Sequence, residues 1–208
     1  MKRILIIIGA GGHGRVVADI ALKIGKWNNI FFLDDDENIK TSMDIEVRGK
    51  FEDAFHYVDK CDIFVAIGNN ALRKNIQLAL EEIGASIPIL IHPSAVIGSK
   101  VNLGAGTVVM GGGVINSCTE IGKGCIVNTG ATIDHDNLIA DFAHISPGAH
   151  LAGNVSIGTK SWIGIGCVVN NNVKVTSNCI VGAGAVVIND IDESGTYVGI
   201  PARRLKNV

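Results

Sequence analysis

The sequence predicts two successive parts, a small α/β unit and an all-β parallel β-helix, and two patterns carry that reading. The first is an aliphatic residue at every sixth position from Ile91 to Val187, unbroken through Ile115, Ile133, Leu151 and Val169. A strict hexad marks a parallel β-helix, whose coils bury their apolar positions only by stacking on one another. The second is the order strand, glycine turn, helix near the start, where Lys2–Ile8 runs into Gly9-Ala10-Gly11-Gly12-His13-Gly14. Glycine at 26 of 208 residues and aromatics at 5% suit a corner-rich coil with a thin interior better than a packed sandwich.

Within the hexads, a mostly small residue follows each aliphatic by four positions, as at Thr107, Thr119, Cys125, Ala131, Asn137 and Ala143. Residues two apart on a strand share a face, so this small position and the next aliphatic both point inward. The position directly after the aliphatic is often Gly or Asn, as at Gly98, Gly104, Asn116, Gly122, Gly158 and Gly164. Both types tolerate positive φ, so these positions are expected to make the tight corners. Cys125, Cys167 and Cys179 occupy the small inward position and read as buried apolar residues. Five cysteines with no C-x-x-C pair argue against a disulfide framework or a structural zinc site.

In chain order, Lys2–Ile8 reads as a fully buried strand, followed by a helix with Val16, Val17, Ile20, Ala21 and Ile24 on its apolar stripe. A second strand, Ile30–Leu33, ends in Asp34-Asp35-Asp36, where a ribose-binding acid would lie. A short element around Phe51–Val58 precedes the strand Asp62–Ile67. Gly68-Asn69-Asn70 then opens a helix, with Asn69 or Asn70 as N-cap and Leu72, Ile76, Leu80 and Ile83 on the buried side. Residues 1–88 thus form a Rossmann-like unit, residues 89–190 the β-helix, and residues 191–208 an extended tail over the last coils. The G-x-G-x-x-G spacing fits dinucleotide binding, but only one mononucleotide half fits before the repeat begins. A mononucleotide or nucleotide sugar is therefore favoured over NAD. The plainer alternative is that these glycines only allow tight strand-to-helix packing.

A net charge of −2 gives no electrostatic reason to expect nucleic acid or an anionic membrane as partner. The apolar run Ile4–Ile8 is too short for a signal-peptide core or a membrane span, so the expected location is the cytosol.

Three hexads make one three-sided coil, so residues eighteen apart stack about 4.8 Å from coil to coil. His135, in Ile133-Asp134-His135-Asp136-Asn137, sits at a corner, and one coil later that corner carries Gly153. A basic imidazole thus stands beside a bare backbone position whose N–H could meet a developing oxyanion. Asp134 or Asp136 could orient the ring and raise its basicity. A second corner column reads Pro147, Ile165 and Ala183, suited to lining a groove for a long ligand. His144 leads toward Pro147 and reads either as a ligand contact or as a surface histidine. His13 either touches a nucleotide or caps its helix, while His56 and His92 read as structural. His144 and His150 lie six apart, hence on different faces of a coil.

The hexad resembles that of the left-handed β-helix acyltransferases. The set Gly9–Gly14, Leu33-Asp34-Asp35, Ala66-Ile67-Gly68-Asn69-Asn70, Ile133-Asp134-His135-Asp136, Gly153-Asn154 and Gly199-Ile200-Pro201-Ala202 resembles one branch over the whole chain. These are bacterial acetyltransferases of nucleotide-linked 4-amino sugars (bacillosamine type), with relatives that act as sialic acid O-acetyltransferases. The resemblance implies a cytoplasmic homotrimer with acetyl-CoA bound between neighbouring β-helices and no metal. It implies His135 as general base and Asp136 as the acid that strengthens it. Gly153 N–H would face the thioester carbonyl, with His144, Ile165 and Ala183 lining the acetyl-CoA groove. Gly11, Gly12, His13, Asp34, Asp35 and Gly68 would hold a UDP-sugar. The amino-sugar enzymes carry Glu around the histidine, where this chain has Asp134 and Asp136.

The expected mechanism is direct transfer, with His135 deprotonating an acceptor amine or hydroxyl as it attacks the thioester. No cysteine is expected at this corner, which disfavours a covalent acyl-enzyme. One rival is a metal hydrolyase of the carbonic-anhydrase kind on the same scaffold, with His135, His144 and His150 converging across a subunit interface. Another is a non-catalytic nucleotide-sugar sensor, which would bind ligand without releasing CoA.

Overall fold

The computed structural model describes residues 4–205. The chain divides between Pro93 and Ser94 into two compact units.

The first unit is built on a three-stranded parallel sheet. Strands β1 (Ile4–Ile8), β2 (Asn29–Leu33) and β5 (Asp62–Val65) lie in the order β2-β1-β5. Both faces of the sheet are covered, which explains the unbroken apolar run of β1. Ile6, Ile8, Phe31, Leu33, Ile63 and Val65 pack against Ile76 and Leu80 of helix α2 (Asn70–Glu82) and against Ala54 of a 3₁₀ turn, Phe51–Tyr57. Phe32 points the other way and meets Gly14 of helix α1 (Gly12–Ile24). Between β2 and the 3₁₀ turn, Thr41–Ser42 (β3) and Ile45–Glu46 (β4) form a small hairpin.

Asn69 is the N-cap of α2, its Oδ1 accepting Leu72 N–H at 2.9 Å. The buried side of this helix differs from the expectation. Leu72 and Ile83 are 49% and 47% exposed, whereas Arg73 is 1% exposed and Asn70 and Gln77 are buried. Arg73 folds back to donate to the carbonyls of Ile67 and Gly68 and to Asn70 Oδ1 at 2.7–3.2 Å. Charge-assisted bonds to fixed acceptors offset the cost of burying a guanidinium, so hydropathy misplaced this face. Val16 of α1 is likewise exposed rather than buried.

The second unit is a triangular coil of two-residue strands in three parallel sheets. One sheet stacks Val96–Ile97, Val114–Ile115, Thr132–Ile133, His150–Leu151, Val168–Val169 and Val186–Val187. A second begins at Asn102–Leu103 and a third holds Val108–Val109, Ile126–Val127, His144–Ile145 and Trp162–Ile163. From Val96 to Val187 the coil-to-coil register is eighteen residues, as in Ile115↔Ile133 and Ile133↔Leu151. The hexad aliphatics from Val109 to Val187 are buried and form a continuous core.

The turns correct one expectation. Positive φ falls three residues after the aliphatic, at Lys100, Gly106, Cys118, Gly130, Asp136 and Asn154, and not directly after it. Glycine in the earlier position answers a different need. A Cβ at Gly104 or Gly158 would lie 2.4 Å from the backbone nitrogen of Lys123 or Ser177 in the next coil. Close stacking of coils, rather than left-handed backbone, selects those glycines.

Beyond Val187 the chain adds strand to the coil. Gly195–Val198 pairs in parallel with Cys179–Val181, and Arg203–Arg204 returns antiparallel upon it. Within the segment expected as an extended tail over the last coils, backbone ladders thus tie these strands to the coil.

Candidate active site

His135 lies in the turn after strand Thr132–Ile133, and Gly153 occupies the same turn position one coil on. A Cβ on Gly153 would sit 2.6 Å from His135 Cε1 and 2.7 Å from Nε2. The imidazole therefore lies close against the bare Gly153 backbone. Its Nδ1 bonds to Asp136 Oδ2 at 2.7 Å, leaving Nε2 as the outward proton acceptor. Asp136 reaches back because its own φ is +59°, a conformation that Asp adopts more readily than most residues.

The other acid has a different task. Asp134 Oδ1 accepts His135 N–H at 2.8 Å and Asn116 Nδ2–H at 2.8 Å. Those two hydrogen bonds, the one from Asn116 first, hold its carboxyl below its ordinary pKa. The hydrogen bond that His135 Nδ1–H donates to Asp136 raises the pKa of His135 above its ordinary value, and the charges of both acids add to it against partial desolvation. Gly153 gives its carbonyl to Asn172 N–H at 3.1 Å, while its own N–H meets no backbone acceptor among the described residues. A raised base and an uncommitted amide at one corner suit proton abstraction beside a developing oxyanion.

One expectation about this corner was wrong. Cys118 is exposed and occupies the turn position of Asp136 one coil earlier. A cysteine therefore shares the corner. Its identity was visible in the hexad count, and only its phase was overlooked.

His144 stands elsewhere. It is buried on the third sheet, with its ring 4.6 Å from that of Trp162 and its Nε2 3.0 Å from Asn128 Nδ2. Trp162 Nε1 donates to Ser146 Oγ at 2.7 Å, which fixes the ring pair beside the Pro147 turn. Ile165 and Ala183 are exposed on that same corner column. Within one chain the column is separated from His135 and Gly153 by the width of the first sheet, so the two groups do not meet. His150 lies between them on that sheet, its Nδ1 2.8 Å from Thr132 Oγ1. Among the described residues no group of three or more His, Cys, Asp or Glu gathers around a metal-sized site.

In the first unit the glycines divide by role. Gly9 and Gly14 serve packing, since a Cβ on Gly14 would fall 1.9 Å from Gly9 O. Gly11, Gly12 and Gly68 instead face open space, with nothing closer than an Arg15 guanidinium nitrogen 4.0 Å from Gly12. Asp34 braces the turn, one oxygen accepting Ala10 N–H at 2.7 Å and the other Asp36 N–H at 2.9 Å. Asp35 accepts Phe51 N–H at 3.0 Å. Both acids border a cavity of about 250 Å³ walled by Leu33, Phe51, Ile67 and Leu72. His13 lies in the first turn of α1, and burial, with the Arg73 charge, pushes its pKa down to about 4. It is therefore a neutral imidazole at physiological pH, with its buried Nε2 lacking a hydrogen-bond partner among the described residues. Among the described residues no side-chain bond caps this helix.

Sequence reasoning missed Arg73, Asn116, Asn128, Asn137 and Trp162. Asn137 carried a signal, being the one amide in the small inward position between Ala95 and Ala149.

Residues 4–80 match the family model described as the PglD N-terminal domain. The acetyltransferase domain of PglB from Neisseria gonorrhoeae FA1090 is 41% identical, covering 98% of this chain and 100% of that one, with a TM-score of 0.95. The same domain has been solved with acetyl coenzyme A, again at a TM-score of 0.95. PerB from Caulobacter crescentus, solved with CoA and GDP-perosamine, is 35% identical over 97% of both chains, with a TM-score of 0.91. WeeI from Acinetobacter baumannii AYE is 27% identical, covering 97% of this chain and 99% of that one, with a TM-score of 0.90. The chain thus belongs to the acetyl-CoA-dependent sugar acetyltransferases of the bacillosamine type, in which a PglD-type α/β domain precedes a left-handed parallel β-helix.

Proposed function

We propose that this enzyme transfers acetyl from acetyl-CoA to the amine of a nucleotide-linked amino sugar, with a UDP-4-amino sugar as the favoured acceptor. The observation that carries the reading is the His135 imidazole, bonded to Asp136 and lying against Gly153. His135 Nε2 takes the amine proton as nitrogen attacks the thioester carbonyl. The oxyanion forms against Gly153 N–H and collapses with loss of the CoA thiolate. Asp136 keeps the imidazole oriented and stabilises its protonated form.

CoA runs along the corner bearing Ile165 and Ala183, with His144 beside it. Because one chain keeps that corner apart from His135, the site is completed by a second copy, which supports a homotrimer with acetyl-CoA between neighbours. The sugar nucleotide approaches the open backbone at Gly11, Gly12 and Gly68, near His13, with Asp34 and Asp35 at the rim of the adjoining cavity. That PerB holds CoA and a GDP-linked sugar at once supports an acceptor of this class. Among the described residues no helix is long and apolar enough to cross a membrane, and the proposed setting is the cytoplasm.

A thiol-release assay with acetyl-CoA tests this reading against UDP- and GDP-linked 4-amino sugars and free sialic acid. Turnover is expected with the nucleotide-linked amines, the acetyl appearing on nitrogen by NMR. Turnover confined to sialic acid hydroxyls would overturn it. His135→Ala is expected to lower kcat by about 10²–10⁴-fold, the usual contribution of a general base.

A further inference from the structure

The inward positions of the coil contain a polar ladder with a simple rule. Thr107 Oγ1 donates to the carbonyl fifteen residues on, Gly122, and accepts the N–H eighteen residues on, Cys125. Ser161 repeats this with Thr176 and Cys179, and Thr119 with Asp134 and Asn137. A hydroxyl has one hydrogen, so it can serve one carbonyl.

Asn137 follows the rule and exceeds it. Its Nδ2 reaches Ala152 O at 3.0 Å, and its Oδ1 accepts Val155 N–H at 3.2 Å. The amide's additional hydrogen turns back to its own corner, to Asp134 O at 2.7 Å and His135 O at 3.2 Å. No hydroxyl in the ladder does this. Asn137 is fully buried, and the equivalent positions one and two coils later hold buried Val155 and Val173. Packing alone is therefore met by valine in this column. The buried amide lies in the turn that carries His135, and it ties that turn to the coil that carries Gly153.

We propose that Asn137 is a positioning residue for acetyl transfer, fixing the His135 turn so that the imidazole meets Asp136 and Gly153 together. This rests on His135 being the base. Thr119 assists, since its hydroxyl gives the Asp134 carbonyl a second hydrogen bond at 2.8 Å. Among the described residues, the titratable groups in this corner column are Asp134 and Asp136 beside the ring, Cys118 one coil earlier and Lys100 two coils earlier. Neither Asn137 nor Thr119 ionises, so their effect on the base passes through geometry.

Asn137→Thr separates the role from ladder maintenance, because threonine keeps the bonds to Ala152 and Val155 and loses those to Asp134 and His135. The full-length variant is expected to keep its KM for acetyl-CoA and its oligomeric state. Its kcat is expected to fall by on the order of ten- to a hundredfold, the scale of a misplaced catalytic group. The acid limb of its kcat profile is expected to move to lower pH, as His135 slips from Asp136. Ser161→Ala, which cuts the same ladder at another corner, is expected to leave that profile in place. Should Asn137→Thr fail to fold, Thr119→Val is read the same way, with a smaller shift in the same direction. An unmoved acid limb with kcat within twofold of wild type would overturn the positioning role while leaving the base assignment intact. Wild-type turnover in His135→Ala would instead overturn the base assignment, and the positioning role with it.

Discussion

The ring of His135 and the α-carbon of Gly153 approach so closely that residue 153 has no room for a side chain. Gly153→Ala keeps the backbone N–H but pushes the imidazole aside. A kcat loss of about 10²-fold is expected, with little change in KM for acetyl-CoA, since displacement by about 1 Å costs that much. Steady-state kinetics with acetyl-CoA varied at saturating acceptor checks it. Unchanged kcat would mean that the ring does not work from this position.

The pH dependence follows from the bond between His135 and Asp136. A base must be neutral to accept a proton, and the raised pKa of His135 places the acid limb of kcat/KM above the ordinary histidine value of about 6.5. Asp136→Asn preserves a residue that tolerates positive φ and removes the charge. Its limb is expected to shift to lower pH and its plateau to fall. A profile unmoved in Asp136→Asn would count against this pairing as the source of basicity.

Cys118 offers a test of direct transfer. It is exposed, whereas Cys61, Cys125, Cys167 and Cys179 are buried, and desolvation pushes the Cys167 thiol up to about 11. Iodoacetamide at pH 8 is expected to modify Cys118 alone in the native protein, as peptide mapping would show. Cys118→Ser is expected to turn over within about twofold of wild type, because in the proposed mechanism His135 and not a thiolate activates the acceptor. Loss of turnover together with a trapped acetyl-cysteine in wild type would point to a covalent route.

His13 makes the first unit sensitive to acid. Its pKa is lowered to about 4 in the folded chain, so the unfolded chain protonates first as pH falls. The stability that it lends is complete above about pH 6.5 and drains away as pH falls toward 4, by up to about 3 kcal/mol. Urea unfolding of wild type and His13→Gln at pH 7 and pH 4.5 measures this. Wild type should lose more stability between the two pH values than the variant, and equal losses would refute it.

The coil is legible because an unbroken period of six marks neither an α-helix nor an ordinary sheet, and the same period stacks Gly153 over His135. What the period could not reveal was which backbone strain each turn position carries. Glycine after the aliphatic looks the same in sequence whether it supplies positive φ or room for the next coil. The face of α2 was misread for a related reason. Arg73 is buried by the carbonyls of Ile67 and Gly68, acceptors supplied by a loop and invisible to hydrophobic periodicity. Asp34 and Asp35 looked like free ligand acids, yet both carry backbone bonds that shape the glycine turn and the cavity rim. Their side chains were easy to find, and their existing bonds were not.

The eighteen-residue register also constrains how the gene for such a coil can change length. Inserting or deleting six residues between His135 and Gly153 would turn the glycine onto another edge of the prism, and any number outside the hexad would break the inward phase. Whole coils of eighteen can be added or lost before residue 116 or after residue 172 without altering the pairing of His135 with Gly153. Length variation in this domain is therefore quantised, and the interval between His135 and Gly153 is the one that cannot vary.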